Sequence, residues 1–97
     1  MIVKIHSTPN GKLIAICDSD ILGKVFEEGD LQLNLSSRFY QGEEKSEDDV
    51  AHLLKCGYVV NAVGKDAVAL LKRMKLIEEG HILRVDGIPH AQCMIGA

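Results

Sequence analysis

The segment Gly87-Ile88-Pro89-His90-Ala91-Gln92 places an imidazole and a side-chain amide beside a ring-locked proline, directly after the strand-like run His81-Ile82-Leu83-Arg84-Val85. Proline fixes its own φ, removes a backbone donor and pushes Ile88 toward extended geometry. His90 and Gln92 are therefore displayed from a stiff backbone, although an ordinary turn into an edge strand has the same composition. A neutral imidazole can exchange protons near pH 7, hydrogen-bond, or ligate a metal. Cys93 follows three residues later, but in extended geometry it faces away from His90, which argues against a Cys–His nucleophilic pair. Polar binding by His90 and Gln92 together is the better reading.

Other residues suggest chemistry less strongly. His52 and Cys56 lie one helical turn apart and could supply half a metal site, but nothing at recognisable spacing supplies the other half, so no metal is expected. Asn61-Ala62-Val63-Gly64-Lys65 superficially resembles a phosphate loop. That pattern needs glycine at position 59 and Ser or Thr at 66, where this chain has Val59 and Asp66. Asn61 itself is a strand amide that must find partners. Lys65, Lys72, Arg73 and Lys75 share the outer side of one expected helix, either as a solvated face or as a contact for RNA or an acidic partner. Asp18 and Asp20 read as caps for a helix beginning at Ile21.

The elements that must position these residues follow from local pattern. Val3 and Ile5 alternate with Lys4 and His6; Thr8-Pro9-Asn10-Gly11 then turns the chain into Leu13–Cys17, which predicts a β-hairpin. A short helix is expected over Ile21–Phe26, and the period-two run Leu31-Gln32-Leu33-Asn34-Leu35 predicts a strand covered on one face. Residues 36–46 read as a loop pinned by Phe39 and Tyr40. Ser46 followed by Glu47, Asp48 and Asp49 marks a helix start, with Val50, Leu53 and Leu54 inward and Gly57 as its terminal cap. Tyr58–Val63 reads as a strand, 65–75 as a helix with Ala67, Leu70, Leu71 and Met74 inward, and 81–85 as a strand, with Cys93-Met94-Ile95 available for a last short one.

Strands alternating with short helices in 97 residues predict one α+β domain over 1–97. The expected architecture is a two-layer α/β sandwich, a mixed sheet with helices on one face. Apolar residues make up 46% and charged residues 26%, which excludes a disordered chain. The net charge of −3 argues against nucleic-acid binding by bulk electrostatics. No apolar run reaches the ~20 residues of a membrane span, so no membrane partner is expected. Cys17, Cys56 and Cys93 are an odd, scattered set that fits a reducing cytoplasm.

Taken together, Asp20-Ile21-Leu22-Gly23-Lys24-x-Phe26-x-Glu28-Gly29, Phe39-Tyr40-x-Gly42, Asn61-x-Val63-Gly64 and Gly87-Ile88-Pro89-His90-Ala91-Gln92 resemble, in order and over nearly the whole chain, the small archaeal proteins grouped as domain of unknown function 424. The resemblance implies an archaeal, cytoplasmic, stand-alone α/β domain. It supplies no activity, cofactor or catalytic residue.

The function read from the residues is a cytoplasmic, non-enzymatic binding module for RNA or a ribonucleoprotein, with no cofactor. Lys65, Lys72, Arg73 and Lys75 would meet phosphates, while Phe39, Tyr40, His90 and Gln92 would supply shape or base contacts. The alternative is a small enzyme or ligand-binding protein with a pocket around His90, Gln92 and Asn61, bordered by Tyr40. A protein–protein adaptor using the acidic 43–49 segment or a sheet edge is the third reading.

Overall fold

The computed structural model describes residues 1–95. Eight strands and two helices follow in the order β1 (Ile2–Thr8), β2 (Gly11–Cys17), β3 (Val25–Glu28), β4 (Leu31–Asn34), β5 (Glu43–Glu44), α1 (Glu47–Leu54), β6 (Val59–Val63), α2 (Lys65–Arg73), β7 (Leu83–Val85) and β8 (Ile88–Met94). Single 3-10 turns occupy Ser19–Ile21, Arg38–Tyr40 and Glu79–His81. Six strands form one sheet in the order β5-β1-β2-β6-β8-β7, while β3 and β4 pair only with each other. The β2–β6 pair is parallel and every other pair is antiparallel, so the sheet is mixed.

Alternation along the strands separates two apolar layers. Ile14, Ile16, Val60, Ala62 and Ala91 face the helices and bury Val50 and Leu54 of α1 with Ala67, Leu70 and Leu71 of α2. On the opposite face Ile2, Cys17 and Val63 meet Ile21 and Leu35, and Phe26, Leu33, Tyr40 and Ile88 pack against them. Both helices thus lie on one side of the sheet, and the β3–β4 ribbon covers one end of the other side. The chain forms an α+β sandwich with this added ribbon. Among the described residues, no helix is long and apolar enough to cross a membrane.

Several local expectations are corrected. Ile21–Phe26 is not a helix: one 3-10 turn ends at Ile21, and Val25 and Phe26 enter β3 opposite Asn34 and Leu33. Backbone bonds from Gly23 N to the Leu35 carbonyl (2.8 Å) and from Leu35 N to the Lys24 carbonyl (2.8 Å) extend that pairing. In the ribbon Leu35 is fully buried, but Leu31 overhangs and is 57% exposed. Gly57 does not cap α1; Lys55 occupies that position. His81 belongs to a 3-10 turn, which shortens the strand expected over 81–85.

The 88–92 segment is the start of β8, an interior strand between β6 and β7. The turn lies earlier, at Asp86 (φ 52°) and Gly87 (φ 77°), with Val85 opposite Ile88. Two consecutive positive φ values make the two-residue hairpin turn whose twist matches the strands it joins. Pro89 is tolerated inside the sheet because of its register. Its carbonyl accepts from Gly64 N (2.8 Å), and its absent N–H would point at the Gly64 carbonyl. That carbonyl is instead taken by Val68 N (3.0 Å) in the first turn of α2.

Asp18 caps a helix other than the one expected. Its buried carboxylate accepts from the backbone amides of Asp66 (3.0 Å) and Ala67 (2.8 Å), the first turn of α2. Gly64, at the N-cap of α2, has φ 110° and no side chain to offer, and a Cβ there would collide with the Asp18 carboxylate.

Two stability changes are expected in urea unfolding. Asp18→Ala removes two charge-assisted bonds and should lower stability by about 2–3 kcal/mol. Gly64→Ala adds backbone strain and the collision, at a cost of about 1–3 kcal/mol. The double variant should be less destabilised than the sum of the two; strict additivity would disprove the contact between positions 18 and 64.

Candidate functional site

Register brings three of the sequence candidates together on two adjacent rows of one face. Asn61 of β6 faces Gln92 of β8, and Val63 faces His90. Hydrogen bonds from Gly64 N to the Pro89 carbonyl and from Ile95 N to the Tyr58 carbonyl fix the phase of this ladder. Asn61 and Gln92 therefore form a non-hydrogen-bonded pair, with Cα atoms about 4.5 Å apart and side chains close together. His90 is the diagonal neighbour of Asn61, about 7–8 Å away. All three point to the face that the helices do not cover.

The surroundings of this cluster follow from the same alternation. Lys4, Ala15, Asn61 and Gln92 form one line across four strands, and His6, Leu13, Val59 and Met94 form the next. The turn Arg38–Tyr40 lies over the β1–β2 side: Phe39 stacks on His6 with ring centroids 4.6 Å apart, and the His6 Nε2 and the Phe39 carbonyl are 3.0 Å apart. Tyr40 packs edge-on against Phe39 and joins the cluster around Cys17 and Val63. Below the ribbon, which packs against β7 and Ile88, the β6–β8–β7 side is left open as a ledge. On it Gln92 is exposed, Asn61 and His90 are half-buried, and Leu83 (62% exposed) and Met94 (66%) form the apolar rim.

The chemistry of the ledge is neutral. Among the described residues, the one acid at a strand position on this face of the six-stranded sheet is Glu44, opposite Ile2 at the far edge, where the Met1 amino group and the Ser19 hydroxyl hold it; β6, β8 and β7 carry none there. Burial holds the His90 imidazole below its ordinary pKa, so it is uncharged at pH 7 and offers one donor and one acceptor. Among the described residues, the Asn61, Gln92 and His90 side chains have no hydrogen-bond partner, while every buried side-chain polar atom is satisfied. Burial and the neighbouring Cys17 push the Tyr40 hydroxyl up, and burial with Asp18 pushes the Cys17 thiol to about 11, so neither is a poised base or nucleophile. Cys93 lies on the helix side, opposite to His90.

The remaining candidates do not join this cluster. Lys65, Lys72, Arg73 and Lys75 belong to α2 and the residues after it, on the other layer. Lys72 is held by Glu79 (2.9 Å) and Arg73 by Glu47 (2.9 Å); among the described residues Lys65 and Lys75 have no carboxylate within 4.0 Å. A single patch combining these cations with Phe39, Tyr40, His90 and Gln92 does not exist, because the sheet separates them. Sequence reasoning overlooked Lys4, His6, Leu83 and Met94, whose strand parity places them on the same face as Asn61.

A cleft of about 430 Å³ opens elsewhere, at the carboxyl ends of the parallel strands β2 and β6, and is lined by Asp18, Ser19, Asp20, Lys45, Ser46, Glu47 and Asp66. Sheets of this kind often bind ligands there. Here Asp18 takes the Asp66 and Ala67 amides of α2 and the Ser46 hydroxyl accepts from Asp49 N at the start of α1, so side chains of the protein already use donors of both helix starts, and the carboxylates of the cleft would repel an anion. Four carboxylates line the cleft, yet among the described residues no three His, Cys, Asp or Glu side chains converge in metal-binding geometry.

Comparison with curated proteins finds no match. Among solved structures, the fold is similar to the crystal structure of an uncharacterized conserved protein from Methanopyrus kandleri, with a TM-score of 0.75 and 27% identity over 97% of this chain and 90% of that one. The family described as "Protein of unknown function (DUF424)" matches residues 5–95, and with nearly the whole chain aligned to it, the protein belongs to that family.

Proposed function

We propose that the chain is a non-enzymatic, cytoplasmic binding module that takes single-stranded RNA, alone or within a ribonucleoprotein, across the uncovered ledge of its sheet. The observation that carries this reading is the cluster of Asn61, Gln92 and, diagonal to Asn61, His90, three neutral hydrogen-bonding side chains on an open face that have no partners among the described residues. Unpaired bases present matching donors and acceptors on their edges. The half-exposed His6–Phe39 stack at the border can be extended by a base.

Electrostatics limit the strength of such binding. Lys4 lies in the same cross-sheet line as Asn61, and Arg38 begins the turn that holds Phe39; among the described residues neither has a carboxylate within 4.0 Å. Two phosphate contacts imply weak, shallowly salt-dependent binding, in keeping with a net charge of −3. The absence of an acid or reactive thiol beside the cluster favours binding over catalysis.

Fluorescence anisotropy with a labelled single-stranded oligonucleotide tests the proposal. The slope of log K against log salt is expected near −1.4, about 0.7 for each of two phosphates. Asn61→Ala and Gln92→Ala should each weaken binding about 3–10-fold, one lost hydrogen bond each, with an unchanged urea midpoint. Lys65→Ala with Lys75→Ala, on the other layer, should change little. Absence of binding at about 50 mM salt, or a larger loss from the α2 substitutions than from the ledge, overturns it.

A further inference from the structure

The edge of β1 is only partly covered. Lys45 N donates to the Met1 carbonyl (2.8 Å), which sets the odd-numbered residues of β1 as those whose backbone groups point away from β2. β5 meets β1 only at Ile2 and Val3. Among the described residues, the N–H and C=O groups of Ile5 and Ser7 therefore lack backbone partners, and both residues are exposed. Beside this edge, on the helix side, a cleft of about 410 Å³ is lined by Ile5, Leu53, Lys4, Lys45 and Glu43, the last two paired with each other (3.3 Å). Ile5 is 38% exposed, although it is a large aliphatic side chain next to the core.

The geometry points to a peptide-docking edge: an extended segment of a partner protein adds as a strand beside Ile5–Thr8, antiparallel to β1. This surface is separate from the ledge and does not depend on its function. Four unpaired backbone groups at strand spacing fit an extended main chain and little else. Residues of the added strand opposite Ile5 and Ser7 would turn toward the helix side, where the Ile5–Leu53 cleft takes an apolar side chain. The residue between them would face His6 and lie diagonal to Lys4; the acid on this face, Glu44, stands farther along the edge opposite Ile2 and is held by the Met1 amino group and Ser19, so an acidic side chain is complementary beside Lys4. The segment recognised is apolar–acidic–apolar.

A second copy of this chain fits less well. Two β1 strands related by a two-fold axis at His6 would use all four groups, but would set imidazole against imidazole. They would also bring Thr8 of the copy opposite Lys4. Gly42 already stands there, pressed so close to β1 that a Cβ would collide with the Val3 carbonyl. A free peptide that ends opposite Ile5 avoids both conflicts.

Amide hydrogen exchange and chemical shifts, followed by NMR during titration with the acetylated, amidated peptide Thr-Val-Glu-Val to about 5 mM, test the proposal; a Kd near 1 mM is about −4 kcal/mol. Slowed exchange and shifts at Ile5 and Ser7 are expected. Thr-Val-Lys-Val should bind at least about fivefold more weakly, and a version N-methylated at both valines should lose the effect without any change to the protein. Leu53→Lys, which fills the cleft, should weaken binding while leaving the Asp66 and Ala67 amide shifts in place. Unaltered exchange at Ile5 and Ser7 overturns the proposal. So does protection that grows with protein concentration alone, which assigns the edge to a second copy, or a response centred on Asn61 and Gln92.

Discussion

The carboxylate of Asp18 joins the end of β2 to the beginning of α2. Its own amide donates to the Val63 carbonyl (3.1 Å), and its oxygens accept from Asp66 and Ala67, so one residue closes the parallel pairing and opens the helix. The two effects that hold α2 differ in kind. Burying Val68, Leu70 and Leu71 contributes about 1.5–3 kcal/mol each and is insensitive to exact placement. The Asp18 contacts contribute about as much as one such side chain but are directional, and they decide where the helix starts. Everything downstream, including the return of the chain into β7 and β8, depends on that start.

Much of the fold is legible because its signals are local. The hairpin of β1 and β2, the Ser46 start of α1 and the apolar face of α2 rest on residues within one or two turns of each other. Ile21–Phe26 is different. Its apolar residues at 21, 22, 25 and 26 suit one side of a helix as well as they suit a turn followed by a strand, and only the partner strand β4 decides between them. Asp18 is illegible for a similar reason: the helix it caps begins 47 residues later. The Asp86-Gly87 turn is legible in the dipeptide itself, whereas a proline suggests an edge strand and only the neighbours β6 and β7 make β8 an interior one.

The candidate site is legible as residue types and illegible as a surface. Asn61 and Gln92 stand 31 positions apart, and their meeting requires that β6 and β8 be neighbours with one particular register. The cations of α2 look equally available in the sequence, yet the sheet lies between them and the ledge. Net charge conceals the same separation. Asp18, Asp20, Glu47 and Asp66 gather at the strand ends, while the β6, β8 and β7 positions of the open face hold no acid. A mildly acidic protein can thus present a face that does not repel an anion.

Pro89 has a consequence beyond stiffness. It sits at the one place along β8 where the facing carbonyl, that of Gly64, has already been claimed by α2. Sliding β8 by two residues along β6 would set the missing donor against a carbonyl of the ladder and leave that acceptor unpaired inside the sheet. Sliding it by one would also turn His90 and Gln92 into the apolar layer beneath the helices. The proline is therefore a register key. It makes the alignment that displays His90 and Gln92 the one in which its own defect does no harm.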